Sequence, residues 1–357
     1  MIKTAQIIRR FAFEEWSGTE NSIWNSVLGM RKHNVESEIL CTTALAPLEM
    51  EERSGIAIRR FPYQYPYWPL SDEDRHRLDR RFGNPVSMSL YRFLKTSDYD
   101  LLHVHSAGRI AGLVRAAARK RKIPYVVSFQ RGYLQIPEQE RLELESPLRH
   151  TVSYGRLIEL THAWRRNFIK DASGVVCVGK EDADFLRHRW PNKRILRLPD
   201  GVDFERFSTP VKTDVRKAFG IPPYRTLLLC VSRIDEQKNQ KLLVRFVSTL
   251  TEEGENVHAL IIGPPSTDYY LKELHELARE LQVEDRITIV PGLGANDERL
   301  VAAYQDSDVF IMPSRDETFG IVVLEAWSAG LPVIASAVGG LTQLIRDGEN
   351  GLLFESD

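Results

Sequence analysis

TLLLCVS, residues 226–232, is a continuous apolar run that breaks into the polar stretch RIDEQKNQ at 233–240. Four similar runs follow: VHALII at 257–262, RITIV at 286–290, DVFIM at 308–312 and LPVIA at 331–335. Between them the apolar residues return at helical spacing over 239–251, 268–281, 297–305 and 320–329, with a further helix at 341–346. A strand apolar on both faces must be covered on both faces, which is the situation of a parallel sheet between helical layers. The spacing therefore predicts a doubly wound α/β domain over the second half.

The first half carries the same alternation less cleanly. Strands are expected at 4–8, 36–41, 56–61, 100–104, 124–129, 174–178 and 194–198. Helices are expected at 18–33, 75–95, 108–121, 140–169 (broken) and 180–188. A chain of 357 residues exceeds one ordinary core. Two such domains in succession follow, 1–198 and 199–357, joined where LPDGVDFERF (198–207) interrupts the periodicity with Pro199 and Gly201. Few regular elements are expected from there to about 224, and PYQYPYWPLSDED (62–74) reads as a loop.

Composition excludes several classes. Hydrophobic residues make up 43% and charged residues 27%, as in a globular protein, and the net charge of -1 gives no global attraction to nucleic acid. Cys41, Cys177 and Cys230 are odd in number and sit in apolar runs, so they read as buried thiols in a reducing compartment, with the cytoplasm expected. MIKTAQIIRR has no apolar signal-peptide core, and no run of about 18 apolar residues would span a membrane. GLLFESD (351–357) reads as a strand and the start of a loop with no closing helix, the pattern expected of a shortened chain.

The chemistry concentrates in ETFGIVVLEAWSAGLPV (317–333). Its helix is apolar on nearly every face, so Glu325 is expected to be buried and to need a partner, from the protein or from a polar ligand. Glu317 precedes that helix at the carboxyl edge of the sheet, where ligands bind α/β folds. The amides of Thr318, Phe319 and Gly320 fall at the helix N-terminus, suited to oxygens of a sugar or phosphate. Arg233 and Lys238 follow a buried strand and suit a diphosphate, unless they are two solvated surface charges. SGTE (17–20) puts Gly18 at a strand-to-helix turn, where a backbone can approach a ligand. Gly292 and Gly294 do not complete a dinucleotide fingerprint.

Taken with DLLHVHS (100–106), LPDGVD (198–203), SDVFIMPS (307–314) and GLPVIASAVGG (330–340), these stretches resemble the family 4 glycosyltransferases. The resemblance is strongest over 198–354. It implies the GT-B fold, two Rossmann-like domains facing a central cleft, the N-terminal one for the acceptor and the C-terminal one for a nucleotide sugar. It implies a retaining transfer from a nucleoside-diphosphate sugar to a glycan or lipid-linked acceptor, with no metal and no cofactor beyond the donor. Arg233 and Lys238 would then hold the diphosphate and Glu317 the transferred sugar. Thr318, Phe319 and Gly320 would bind its hydroxyls or the distal phosphate, and Glu325 the ribose. Gly18 would approach the phosphates from the other domain, and the base would lie near Val290–Leu293.

Departures from the pattern fall on the acceptor side. Gln130 stands where many members have His, and an amide cannot act as a base. Arg131 beside it suits an acidic or phosphorylated acceptor. Ser17, Ser232 and Asp200 replace a common Gly, Gly and Asn. His105 of the His103–His105 pair reads either as an acceptor-side group or as an ordinary strand-end histidine. Asp98 and Asp100 match a metal-binding D-x-D, but they precede their strand, at the wrong edge of a sheet for a nucleotide. The basic end of GLVRAAARKRK (112–122), with Arg165 and Arg166, is open to two readings, contact with an anionic membrane surface or favourable charge at a helix C-terminus. Two alternatives to the transferase remain: a nucleotide-sugar epimerase of similar fold, and a non-catalytic sugar-nucleotide binding protein.

Overall fold

A computed structural model describes residues 1–13, 18–80, 83–129, 151–155, 168–294 and 297–356. The chain divides into two compact units, Met1–Pro199 and Asp200–Asp357.

In the N-terminal unit the strands are β1 (Ile2–Ile7), β2 (Val35–Thr42), β3 (Met50–Arg53), β4 (Ile56–Phe61), β5 (Tyr67–Trp68), β6 (Leu101–Val104), β7 (Tyr125–Phe129), β8 (Val152–Ser153), β9 (Gly174–Cys177) and β10 (Ile195–Arg197). An eight-stranded sheet runs β10-β9-β7-β6-β1-β2-β4-β3, parallel except for the β3–β4 pair. Alternate side chains of β2 feed opposite cores, and β1 adds its apolar residues to one of them. Ala5, Ile7 and Leu40 join Val114 and Ala118 of the helix Arg109–Arg121, whereas Ile39 and Cys41 join Ile23 and Val27 of the helix Gly18–Arg31. Strand order reverses between β1 and β6, so the loops after these two strands diverge to opposite faces and leave a crevice at their carboxyl ends.

The C-terminal unit contains β11 (Thr226–Val231), β12 (Val257–Ile262), β13 (Ile287–Val290), β14 (Val309–Met312), β15 (Val333–Ser336) and β16 (Leu352–Phe354). They form a six-stranded parallel sheet in the order β13-β12-β11-β14-β15-β16, the doubly wound order with its reversal between β11 and β14. The continuous apolar runs are explained by two-sided burial. Leu227, Leu229 and Leu260 pack with Val323 and Ala326 on one face; Leu228, Cys230 and Ala259 pack with Leu243, Val247 and Leu274 on the other.

The structure departs from the periodicity in a few places. The helix expected over 75–95 is two helices, Asp72–Arg80 and Met88–Thr96. Pro85 cannot continue a helix, and Ser87 caps the second one by accepting from Leu90 N. The loop at 62–74 contains β5, which pairs with β8. The stretch from 199 to 224 holds two short helices, Phe204–Ser208 and Val215–Ala218. Most of the helix expected over 140–169, with Arg165 and Arg166, lies outside the described residues.

Several charges read as functional candidates are committed locally. Arg115 and Arg119 pair with Asp171, and Arg121 donates to Ser97 Oγ and Tyr99 O, so these three cations bind their own unit. Asp98 and Asp100 both take Lys3, through its ammonium and its amide, at the amino edge of the sheet. Cys41, Cys177 and Cys230 are buried free thiols. No helix among the described residues is long and apolar enough to cross a membrane.

Burial also sets a pH dependence. His258 on β12 is 4% exposed and bonds Thr288 Oγ1 at 2.8 Å. Burial, aided by Arg225, pushes it down from 6.5 to about 4. The unfolded chain therefore binds a proton that the folded chain refuses, so stability falls as pH drops from about 6.5 toward 4. In His258→Gln the stability lost between about pH 7 and pH 5 should be smaller than in the wild type by about 1–2 kcal/mol. Denaturant midpoints of both proteins at the two pH values check this, and equal losses would contradict it.

Candidate active site

Three loops meet at the carboxyl edge of the C-terminal sheet: Ser232–Asn239 after β11, 313–320 after β14 and 337–340 after β15. The first two flank the strand-order reversal. They are joined by an ion pair, Lys238 Nζ to Glu317 Oε2 at 2.5 Å, with the side chains only 11% and 15% exposed. Burial alone would raise the Glu317 carboxyl. Lys238, together with the amides of Thr318 and Phe319, outweighs it and holds the group below its ordinary value, as a carboxylate. Gln237 adds two more links, its carbonyl accepting from Arg315 N at 2.8 Å and its amide donating to Asp316 Oδ2 at 3.1 Å.

Asp235 organises the first loop. It is 5% exposed, accepts from Lys238 N at 3.1 Å and from Ser266 Oγ at 3.0 Å, and pairs with Arg233 at 2.8 Å. Asn239 takes a left-handed conformation (φ 53°) to start the helix Gln240–Glu252, whose Gln240 amide donates back to Arg233 O. Under this loop, a Cβ on Gly263 would meet Ser232 O at 1.8 Å, so only glycine lets the two backbones pass.

The second loop rests on the third. Gly340 N donates to Glu317 O at 2.7 Å. A Cβ on Gly339 would lie 2.2 Å from Glu317 O, and one on Gly340 would lie 2.1 Å from Thr318 O. Gly320, at φ 89°, turns the chain into the helix Ile321–Ser328.

The structure thus brings Arg233, Lys238, Glu317, Thr318, Phe319 and Gly320 to one edge, and it bears on three of the readings above. Lys238 and Arg233 are not solvated surface charges; each is paired with a carboxylate of the site. The Thr318 and Phe319 amides are not idle helix-end donors, because Glu317 takes them. Glu325 is buried (7% exposed) as expected, yet it does not depend on a ligand for a partner: the hydroxyl of fully buried Tyr304 donates to it at 2.7 Å. Burial still pushes Glu325 up to about 7, against the hydrogen bond from Tyr304.

In the N-terminal unit, Gly18 opens the helix Gly18–Arg31 and is exposed. His105 is buried just past β6, at the reversal between β1 and β6. Gln130, Arg131 and Ser17 lie outside the described residues. Asp235, Gln237, Gly339 and Gly340 were missed as site residues, although all four sit inside the stretches quoted for other reasons. Tyr304 had no sequence signal. A cavity of about 500 Å³ in the C-terminal unit, lined by Asp203, Arg206, Asp297 and Glu298 among others, is not lined by Lys238 or Glu317. The strand-order reversal and the converging charges locate the site better than that hollow does.

Comparison with known proteins agrees with this geometry. The model of Glycosyltransferase Family 4 matches residues 16–206, and that of Glycosyl transferases group 1 matches residues 211–357. The chain belongs to Glycosyltransferase Family 4. A D-inositol 3-phosphate glycosyltransferase of Actinosynnema mirum is 37% identical over 166 residues, 45% of this chain and 39% of that protein. The alignment therefore spans well under half of that relative's length. D-inositol 3-phosphate glycosyltransferase 2 of Catenulispora acidiphila is 28% identical over 89% of this chain and 74% of its own. Among solved structures, Anabaena Alr3699/HepE in complex with UDP-glucose superposes with a TM-score of 0.70 at 20% identity, covering 100% of this chain and 86% of that one. WaaG, a glycosyltransferase involved in lipopolysaccharide biosynthesis, gives 0.65 at 15%, covering 99% and 86%. The fold is GT-B, with two Rossmann-like units.

Gly340→Ala should push the Thr318 backbone aside and with it Glu317. Transfer activity is expected to fall on the order of a hundred-fold, the scale of an ångström-sized misplacement. Gly29→Ala, where a Cβ meets nothing within 4 Å, serves as the control. Equal activity in the two variants would show that the loop tolerates the shift.

Proposed function

We propose that this protein moves a sugar from a nucleoside-diphosphate donor to a glycan or lipid-linked acceptor with retention of anomeric configuration. The observation that carries the reading is the Lys238–Glu317 pair, placed at the strand-order reversal of the C-terminal unit with Arg233 on the same loop. That unit would bind the donor and the N-terminal unit the acceptor. The structural neighbour solved with UDP-glucose supports a nucleotide-sugar donor.

The chemistry follows from charge. As the bond between the anomeric carbon and the phosphate oxygen breaks, negative charge grows on the departing diphosphate. Arg233 offers a planar fork and Lys238 an ammonium with three donors, enough for Lys238 to keep Glu317 while also binding a phosphate oxygen. Held in advance by Asp235 and Glu317, both cations need little rearrangement when that charge appears. No metal or further cofactor enters this scheme. Glu317, kept ionised, would position the sugar beside the reacting carbon and favour positive charge there; it is not assigned as a nucleophile. Thr318, Phe319 and Gly320 would share their backbone donors with the sugar or distal phosphate, and Glu325 would accept from the ribose. His105, with Gln130 and Arg131, would serve the acceptor side. Polysaccharide or glycolipid synthesis in the cytoplasm, at the inner membrane face for a lipid-linked acceptor, is the setting this reading implies.

A thermal-shift screen against UDP-, GDP- and ADP-sugars should raise the melting temperature with one nucleotide class, because a ligand that binds only the folded state stabilises it. Lys238→Ala should abolish that rise. Lys238→Ala and Glu317→Ala should each lower kcat on the order of a hundred-fold or more. Wild-type turnover in both variants would refute the assignment.

A further inference from the structure

The reversal between β1 and β6 in the N-terminal unit holds buried polar atoms without hydrogen-bond partners among the described residues. His105 continues the β6 ladder, its amide donating to Ile7 O at 2.8 Å. Its ring is 8% exposed for the whole residue, and Nε2 lies 2.8 Å from Gln6 Oε1. The other ring nitrogen, Nδ1, is buried and meets no hydrogen-bonding group among the described residues. The same holds for the neighbouring Ser106 Oγ. Buried polar atoms without a protein partner are uncommon, and each costs about 1–3 kcal/mol unless something else bonds it. The His105 nitrogen lies at the carboxyl end of a strand beside a topological switch, the place where α/β sheets take polar ligands.

The state of the ring follows from its neighbours. With the Gln6 amide turned so that its carbonyl faces the ring, and a carbonyl oxygen only accepting, Nε2 carries the hydrogen and Nδ1 keeps its lone pair. Gln6 is fixed in turn. Its amide Nε2 donates to Thr4 Oγ1 at 3.2 Å, and that hydroxyl lies 2.6 Å from Ser37 Oγ. Thr4 and Gln6 sit two residues apart on β1 and so share a face of the sheet; Gln6 itself is 2% exposed. Protonation of His105 is opposed by burial and by His103, whose ring centroid is 4.0 Å away. His103 is itself engaged with Ser128 Oγ at 2.6 Å.

We infer that Gln6 is a positioning residue that locks His105 in the Nε2–H tautomer, so that Nδ1 receives a hydroxyl group of the acceptor. A neutral imidazole in this state takes the hydroxyl hydrogen in a bond and leaves the lone pairs of the hydroxyl oxygen free; it is not a proton store. Only the identity of the hydroxyl compound rests on the transferase reading above. The tautomer and the Gln6 relay do not.

The experiment has two parts. Long-range proton–nitrogen NMR on histidine-labelled protein, with His105→Gln to assign the ring, should show Nε2 protonated and Nδ1 bare in the wild type. A ring protonated at Nδ1, or an imidazolium, would overturn the inference whatever the activity. In the second part, Gln6→Leu and His105→Ala are each expected to lower kcat/KM for transfer about ten-fold or more. The double variant should be no worse than His105→Ala alone. Losses that multiply would show that Gln6 does not act through His105. Should the wild type transfer no sugar while showing the Nε2–H ring, the Gln6 relay stands and the transferase reading fails.

Discussion

The ion pair between Lys238 and Glu317 is the constraint around which the C-terminal site is assembled. Its two members come from loops that leave adjacent strands and diverge to opposite faces of the sheet. Without a cross-link, a doubly wound fold would let those loops move independently. A single Lys–Glu bond would be weak at a surface, but this pair is mostly withdrawn from water and is backed by the Gln237 links and by the amides that also hold Glu317. Removing either partner would leave a poorly hydrated charge behind. The pairing therefore fixes geometry and charge state together, and the close-packed glycines beneath it admit no alternative path for the backbone.

Much of this was legible in the sequence because two-sided burial leaves a strong trace. TLLLCVS, VHALII and DVFIM proved to be β11, β12 and β14, off by no more than a residue at either end. Elements with little apolar content left no such trace. β3, MEER, is an exposed edge strand, and β5 and β8 are two-residue pairings created by tertiary contact. The helix expected across 75–95 failed for another reason: apolar periodicity resumes after Pro85, and periodicity does not register the interruption that the proline and the Ser87 cap impose.

Legibility of the site was divided in the same way. Glu317, Lys238 and Arg233 stood out because charges flank buried strands. Who bonds whom did not, since pairing depends on which loops the strand order brings together. Tyr304, on a different helix, is the partner that Glu325 was expected to need, and no spacing in 317–333 announces it. Gln6 is a similar case. One glutamine inside a strand pattern reads as an imperfection, and it gains meaning only when β6 is laid beside β1 and His105 reaches its carbonyl.

Two carboxylates of one motif are pushed in opposite directions. Glu317 accepts from an ammonium and backbone amides, and is held ionised. Glu325, on the helix that begins just past Gly320, accepts from the Tyr304 phenol and feels the charge of Arg206, yet burial still pushes its carboxyl up to about 7. Environment, not residue type, divides them. A group poised in this way is ionised more fully when further donors reach it, because each donor favours the charged form. A pair of ribose hydroxyls would be such donors. On this argument nucleoside binding would draw a proton off Glu325, whereas Glu317 would keep its charge throughout. The burial that made Glu325 conspicuous in the sequence would then make nucleoside affinity rise with pH through the range near 7, a dependence that Glu317, already ionised there, does not share.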